Sequence, residues 1–376
     1  MKGSLKIGRI FGIPIYINYT WLIIFAVITI VLATSYFPNY AANSLSSWST
    51  ITSWALGICT SILFFASLLV HELAHSYICI KKGIPVKSIT LFVFGGVARI
   101  SREAEKPSSE LLMALAGPLA SITLSGIFLG LHWLMGSTNG PLASMTYYLF
   151  YVNMALAIFN MIPGYPLDGG RVFRSIVWMI TGNFKKATRV ASVVGKAIGY
   201  LFIAGGLFIV VYWMQWEGMW LVFIGWFLNI AASSSYRQAE LHDSLGGIKA
   251  SDILIRDYLS ISPALTLKQV HIYIMHTGRL FFLVTDKDAF LGSVSPDNFK
   301  SIPQELWETT RVGQVMTHAQ EMQLIHKEDD AVNILEKMDD AGASRMVVVD
   351  GHNGILGLIT RDNLMRFAQV RSELGT

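Results

Sequence analysis

His71, Glu72 and His75 stand in the order His-Glu-x-x-His near the end of a long apolar run, so three ionisable groups fall where a membrane helix should have none. Residues four apart share a helix face, so both imidazoles can reach one zinc ion while Glu72 contacts water at the ion's open position. Zinc lowers the pKa of such a water to near neutrality and makes it a nucleophile. Five-residue patterns of this kind also arise by chance, and soluble helices that carry one need hold no metal. The setting weighs against chance: residues 62–70 read ILFFASLLV, and a charged group at membrane depth costs roughly 2.5 kcal/mol or more. Motif and setting together point to a metal-dependent protease working inside a bilayer.

Two histidines leave a catalytic zinc site one protein ligand short of three. Asp168 lies in the proline- and glycine-rich stretch NMIPGYPLDGG at 160–170. Its prolines stop a helix and its glycines let the backbone bend, so the carboxylate can turn back toward a metal. An Asp here can equally cap the helix expected at 171–181, and taken alone the cap is the commoner job. Cys79 is the rival ligand, eight residues after His71 on nearly the same face. A continuous helix would hold it about one further turn along the axis, and a buried structural thiol suits it better. His132 has no acid or second histidine nearby in sequence and reads as a pore-facing or interfacial polar residue.

These groups need a scaffold, and composition describes it. Of 376 residues 53% are hydrophobic and 14% charged, against about 25% charged in ordinary soluble proteins, so several membrane spans are expected. Up to Glu240 the only acids are Glu72, Glu103, Glu105, Glu110, Asp168, Glu217 and Glu240, and the remaining residues hold all the others. A membrane part and a soluble C-terminal part follow. The net charge of +4 comes from basic residues in short loops between apolar segments, as topology signals and anionic-lipid contacts do, which argues against nucleic acid. Cys59 and Cys79 share one apolar segment and imply no disulfide framework.

A span needs about 20 largely apolar residues, and six segments qualify: 15–36, 52–80, 111–135, 143–161, 190–214 and 218–232, the last being short, with an earlier start or an extension through Ser233 to Ser235 as alternatives. The first is too long for a signal-peptide core and has no evident cleavage site, so it reads as a retained span. Lys2, Lys6 and Arg9 precede the first segment, Lys81, Lys82, Lys87, Arg99, Arg102 and Lys106 follow the second, and Arg171, Arg174, Lys185, Lys186 and Arg189 follow the fourth. The alternate loops carry almost no charge, which places both termini in the cytoplasm and the histidines toward the inner side. Between spans, residues 87–100 (KSITLFVFGGVARI) read as a short strand or hairpin bent at Gly95-Gly96. One edge of it is expected to stay free for an extended substrate segment. A cytoplasmic hairpin without a substrate role is the alternative.

At this point the chain resembles the site-2 protease family of intramembrane zinc metallopeptidases. The resemblance rests on HExxH in a membrane helix, followed about a hundred residues later by NxxPxxPLDGG, and it covers the whole membrane region. It implies that His71, His75 and Asp168 are the zinc ligands, one zinc per chain, and that Glu72 is the general base. It also implies that Asn160 helps place the substrate or polarise its carbonyl. Ala116-Gly117-Pro118-Leu119 matches a further family pattern, with small residues that permit close helix contact. The implied reaction is hydrolysis of peptide bonds within or near transmembrane segments of membrane proteins, in the cytoplasmic membrane of a prokaryote.

Residues 281–286 and 291–298 answer to 346–350 and 356–363, each copy reading as strand, turn, strand and helix start. The pair resembles tandem cystathionine β-synthase (CBS) modules, which commonly bind adenine nucleotides between copies. The resemblance puts Thr360 on phosphate and Asp362 on ribose in the second copy. Ser295 and Asp297 hold the corresponding places in the first, with a less usual Pro296 between them. ATP or AMP is thus an expected second cofactor, and a homodimer through the CBS pair an expected assembly; a pair that dimerises and binds nothing is the alternative. The whole reads as a multi-pass α-helical membrane protein with about six transmembrane helices and a short membrane-associated β element, plus a soluble α/β tandem CBS domain. Its expected parts are a protease domain at 1–235, a linker at 236–248, and CBS domains at 249–308 and 312–372. The competing reading is a CBS-regulated transporter or channel whose histidines carry ions, which six spans without an inverted repeat fit poorly.

Overall fold

In the computed structural model, residues 3–43, 47–93, 95–101, 103–135, 140–286, 289–350 and 354–374 are described. Lys2 and Arg102, read above for topology, lie outside them. The chain divides into two units, Met1–Tyr236 and Arg237–Thr376.

The first unit begins with two strands that hydropathy alone conceals. β1 (Ser4–Ile10) and β2 (Ile13–Asn18) pair antiparallel with Ile10 opposite Ile13. The two-residue turn between them is Phe11-Gly12, with φ of 51° and 79°, the positive values that match the twist of a tight hairpin. This corrects the expected first span: residues 15–18 complete a strand, and the helix begins at Tyr19. Ile13, Ile15 and Ile17 alternate with Pro14, Tyr16 and Asn18, a period of two that a uniformly apolar window hides. Asn18 then starts α1 (Tyr19–Val31) by accepting the Thr20 N–H at 3.0 Å. After a π-helical turn (Leu32–Tyr36), α2 (Phe37–Asn43) carries the helix past the expected end at residue 36.

The other long helices are α3 (Thr50–Lys81), α4 (Pro107–Leu134), α5 (Pro141–Asn160), α7 (Phe184–Trp213) and α8 (Gly218–Leu245). With the run Tyr19–Asn43 they make, among the described residues, six helices long and apolar enough to cross a membrane. α8 corrects a second expectation, since it continues beyond residue 235 to Leu245, through most of the polar stretch taken for a linker. Residues 236–245 contain neither Gly nor Pro, so nothing stops the helix before Gly246-Gly247. The remaining helix, α6 (Asp168–Thr181), is short and stands outside the six.

β3 (Val86–Phe92) and β4 (Gly95–Ile100) form the expected hairpin, but it belongs to a four-stranded sheet of order β1-β2-β3-β4. β2 and β3 run parallel, a pairing that requires the crossover which α1 to α3 supply. One sheet face packs on α3: Ile13, Ile89 and Leu73 are buried together with Leu69, Val86 and Ala98 beside them. Leu69 and Leu73 lie on either side of His71 in sequence, so the sheet holds the part of α3 that carries the motif. β4 is an edge strand.

In the second unit, β5 to β8 form one sheet and β9 to β11 another, where β5 is Ser260–Ile261, β6 Phe282–Asp286, β7 Ala289–Val294, β8 Thr317–His318, β9 Ile325–His326, β10 Arg345–Val349 and β11 Ile355–Thr360. The two copies share a core in which Leu283 packs with Val347, Val349 and Leu358. Ile255 and Leu358 exchange backbone hydrogen bonds at 2.7 and 2.9 Å, which stitches the start of the first copy to β11.

Candidate metal centre

α3 starts on Ser49, whose hydroxyl accepts the Thr52 N–H at 3.1 Å, and runs unbroken to Lys81. His71 and His75 therefore stack one turn apart, 3% and 6% exposed, with their Nε2 atoms 3.2 Å from each other. Asp168 Oδ2 lies 3.1 Å from each of those nitrogens. Among the described residues, these three form the group of His, Cys, Asp and Glu side chains whose ligand atoms converge. Asp168 is not a cap: Leu167 occupies that position and α6 begins with Asp168 itself. The glycines explain how the loop brings it round. A Cβ on Gly169 would lie 2.3 Å from the Met161 carbonyl carbon and one on Gly170 2.3 Å from that of Gly164, so the segment doubles back at backbone contact.

α4 orients both rings from behind. The Met113 carbonyl accepts from His75 Nδ1 at 2.6 Å, and Ser121 Oγ lies 2.9 Å from His71 Nδ1. A carbonyl can only accept, so His75 carries a proton on Nδ1 and presents Nε2 to Asp168. Burial opposes ionisation of Asp168, but hydrogen bonds and charge from His71 and His75 outweigh it and hold the carboxyl below the usual carboxylate range.

A tetrahedral zinc ion with bonds near 2.0–2.1 Å keeps its ligands about 3.3 Å apart, close to the separations found. Gly117 supplies the room. A Cβ there would stand 2.1 Å from His75 Nε2 and 2.6 Å from His71 Nε2, against the ligand nitrogens of both histidines. The residues present thus fit the ion in number, type and spacing.

Glu72 projects toward β4, its Cγ 2.5 Å from where a Gly96 Cβ would be. The bend glycine is therefore what lets the carboxylate stand between α3 and the edge strand. Asn160 is the last residue of α5, half-buried, and among the described residues no hydrogen bond joins its side chain to the three ligands. Cys79 is fully buried beside Ile84 and Met113, outside the ligand group. His132 stands half-buried in the last turn of α4, where its Nδ1 donates to the Ala143 carbonyl at 3.0 Å and ties α4 to the start of α5. In the second unit Thr360 Oγ1 accepts the Asn363 N–H at 3.1 Å and Asp362 is exposed. Ser295 and Asp297 have local partners, with Ser295 Oγ donating to Asn298 at 3.1 Å and Asp297 pairing with Lys300 at 2.7 Å.

A model of peptidase family M50 matches residues 59–138 and 135–204, and a CBS-domain model matches residues 312–369. A Synechocystis sp. protein named "Putative zinc metalloprotease sll0528" is 34% identical over 376 residues, spanning 98% of this chain and 96% of its own. Zinc metalloprotease MJ0392 of Methanocaldococcus jannaschii is 26% identical over 367 residues, 97% of this chain and 96% of its own. The solved site-2 protease from the same organism, 28% identical, covers 62% of this chain and 95% of that one with a TM-score of 0.43. The chain belongs to peptidase family M50: it is a multi-pass membrane metalloprotease of that family with a C-terminal CBS region.

Proposed function

We propose that the protein is an intramembrane zinc metalloendopeptidase that cuts membrane proteins within or near their transmembrane segments. The observation that carries this reading is the convergence of His71, His75 and Asp168 ligand atoms within 3.2 Å of one another, with Glu72 on the same helix and Gly117 making room for both imidazoles. Zinc held by these three residues would polarise the scissile carbonyl and acidify water. Glu72 takes the proton of the attacking water and gives it to the leaving amine as the C–N bond breaks. A substrate must arrive unwound for this, and the outer edge of β4 offers backbone groups for an extended segment to pair with, alongside Glu72. Asn160 is assigned to placing the substrate or polarising its carbonyl.

The membrane is assigned as the cytoplasmic membrane of a prokaryote, with both termini inside, on the charge asymmetry of the loops. The CBS pair is assigned to adenine nucleotide, with Thr360 and Asp362 as the better-placed contacts, and to homodimerisation. Equal cleavage rates with and without ATP or AMP would count against a regulatory role.

The direct test is zinc content and cleavage of a membrane-spanning peptide by detergent-purified protein. Glu72→Gln is expected to keep about one zinc per chain and lose cleavage. Loss of zinc together with activity would make Glu72 structural and refute its role as base.

A further inference from the structure

Glu110 and Arg174 are 1% and 3% exposed, a buried ion pair between the first turn of α4 and the middle of α6. Glu110 Oε1 accepts from Arg174 Nε at 2.7 Å and also from its Nη2. Arg171 Nε lies 3.9 Å from the same oxygen, and Glu103 lies 3.8 Å from Arg174 Nη1. The Arg174 guanidinium stands 4.9 Å over the Tyr165 ring and 4.7 Å over the Phe184 ring, and its Nη1 reaches Thr188 at 3.5 Å. Burial would press Arg174 toward neutrality, but Tyr165, Glu110 and Glu103 outweigh it and keep the group charged.

Stability is a poor reason for such a pair. Desolvating two charges offsets most of their attraction, and well-packed apolar replacements often fold as well or better. Direction is another matter, because a guanidinium that donates to one carboxylate oxygen through two nitrogens fixes distance and orientation together. What it fixes can be read along α4. Glu110, Met113, Gly117 and Ser121 recur at helical spacing on one face, and the last three respectively orient His75, make room for both imidazoles and hold His71. On the other side, Arg174 sits less than two turns beyond Asp168 in α6, and Tyr165 under its guanidinium lies three residues before Asp168.

We infer that Glu110 and Arg174 are positioning residues that set the register of α4 against α6, and so hold Asp168 at coordinating distance from His71 and His75. The inference rests on the proposal that those three residues bind zinc. A metal site tolerates ligand displacements of only about 0.2 Å, which two helices packed through apolar side chains do not enforce by themselves.

The test uses the full-length protein in detergent. It measures zinc affinity by chelator competition, the visible absorption of the cobalt-substituted protein, which reports coordination geometry, and thermal unfolding without metal. The double variant Glu110→Met/Arg174→Met is expected to unfold at or above the wild-type temperature, yet to bind zinc about 10- to 100-fold more weakly, as loss of outer partners does elsewhere. Its cobalt spectrum should change. Arg174→Lys, which keeps the charge but not the two-nitrogen geometry, should fall between wild type and the double variant in both readouts. A folded double variant with wild-type zinc affinity and cobalt spectrum would overturn the inference. So would an unfolded double variant beside an Arg174→Lys protein that binds zinc like wild type. Wild-type protein that takes up no zinc would overturn the underlying metal reading, and this inference with it.

Discussion

Gly117→Ala adds a single methyl group to α4, and its effect can be worked out from two distances. The new Cβ would stand 2.1 Å from His75 Nε2 and 2.6 Å from His71 Nε2. Ordinary contact begins near 3.5 Å, so one or both rings must retreat by about 1 Å. From His75 Nε2 the methyl would lie at about the distance that zinc itself takes. Because ligand positions must hold to about 0.2 Å, we expect at least one ligand to be lost. Zinc affinity should fall by about 100-fold or more, roughly 2.7 kcal/mol. Alanine is the better helix former by about 1 kcal/mol, but pushing buried rings aside costs about 1–3 kcal/mol, so the unfolding temperature without metal should fall only modestly. Chelator competition on detergent-purified protein measures the first quantity and a thermal scan the second. Gly126→Ala is the control, since a Cβ there meets nothing within 4 Å. Wild-type zinc affinity in Gly117→Ala would refute the claim that this glycine makes room for the metal's ligands, and would leave it a residue of helix packing alone.

Gly96→Ala places its Cβ 2.5 Å from Glu72 Cγ and 3.1 Å from Oε1. It should keep zinc and lose at least tenfold in turnover as the base is displaced, which a cleavage assay beside a metal count would read. Cys79→Ala empties a buried position outside the ligand group, so it should cost roughly 1 kcal/mol in unfolding free energy and leave zinc stoichiometry unchanged. Burial raises the Asp329 pKa, but hydrogen bonds from Lys337 Nζ at 2.8 Å and the His326 N–H at 3.3 Å hold it below the usual range. A lowered pKa contributes stability above the unfolded value and loses it as pH falls through the folded one. The gap in unfolding temperature between wild type and Asp329→Asn should therefore be full at pH 7 and shrink below about pH 4.

What could be read in the residues, and what could not, follows from where each piece of information is stored. Long spans declare themselves because hydropathy accumulates over twenty residues, so all six were visible even where their ends were not. The ends depend on short signals that a wide window averages away: the alternation of Ile13, Ile15 and Ile17 in β2, or the absence of Gly and Pro after residue 232. His71, Glu72 and His75 were legible because one helix sets their spacing. Asp168 could not be told from a cap, since the difference lies in a single residue of register: with Leu167 in the cap position, Asp168 enters the helix and its carboxylate is freed for the histidines. The hardest parts to foresee are those in which no side chain speaks. The Met113 carbonyl that orients the His75 ring would be the same carbonyl in any residue but its place on α4. Gly117 works by lacking a side chain at all. The small residues of Ala116-Gly117-Pro118-Leu119 permit close helix contact, as expected, and at Gly117 that contact is with the metal-facing side chains of α3. The close approach it permits is that of α4 to the imidazoles of α3, where a Cβ would meet both Nε2 atoms. A glycine that serves packing should tolerate alanine wherever the partner helix can yield a few tenths of an ångström. A glycine that serves an ion cannot, because the ligands that would have to yield are the ones whose positions the chemistry fixes.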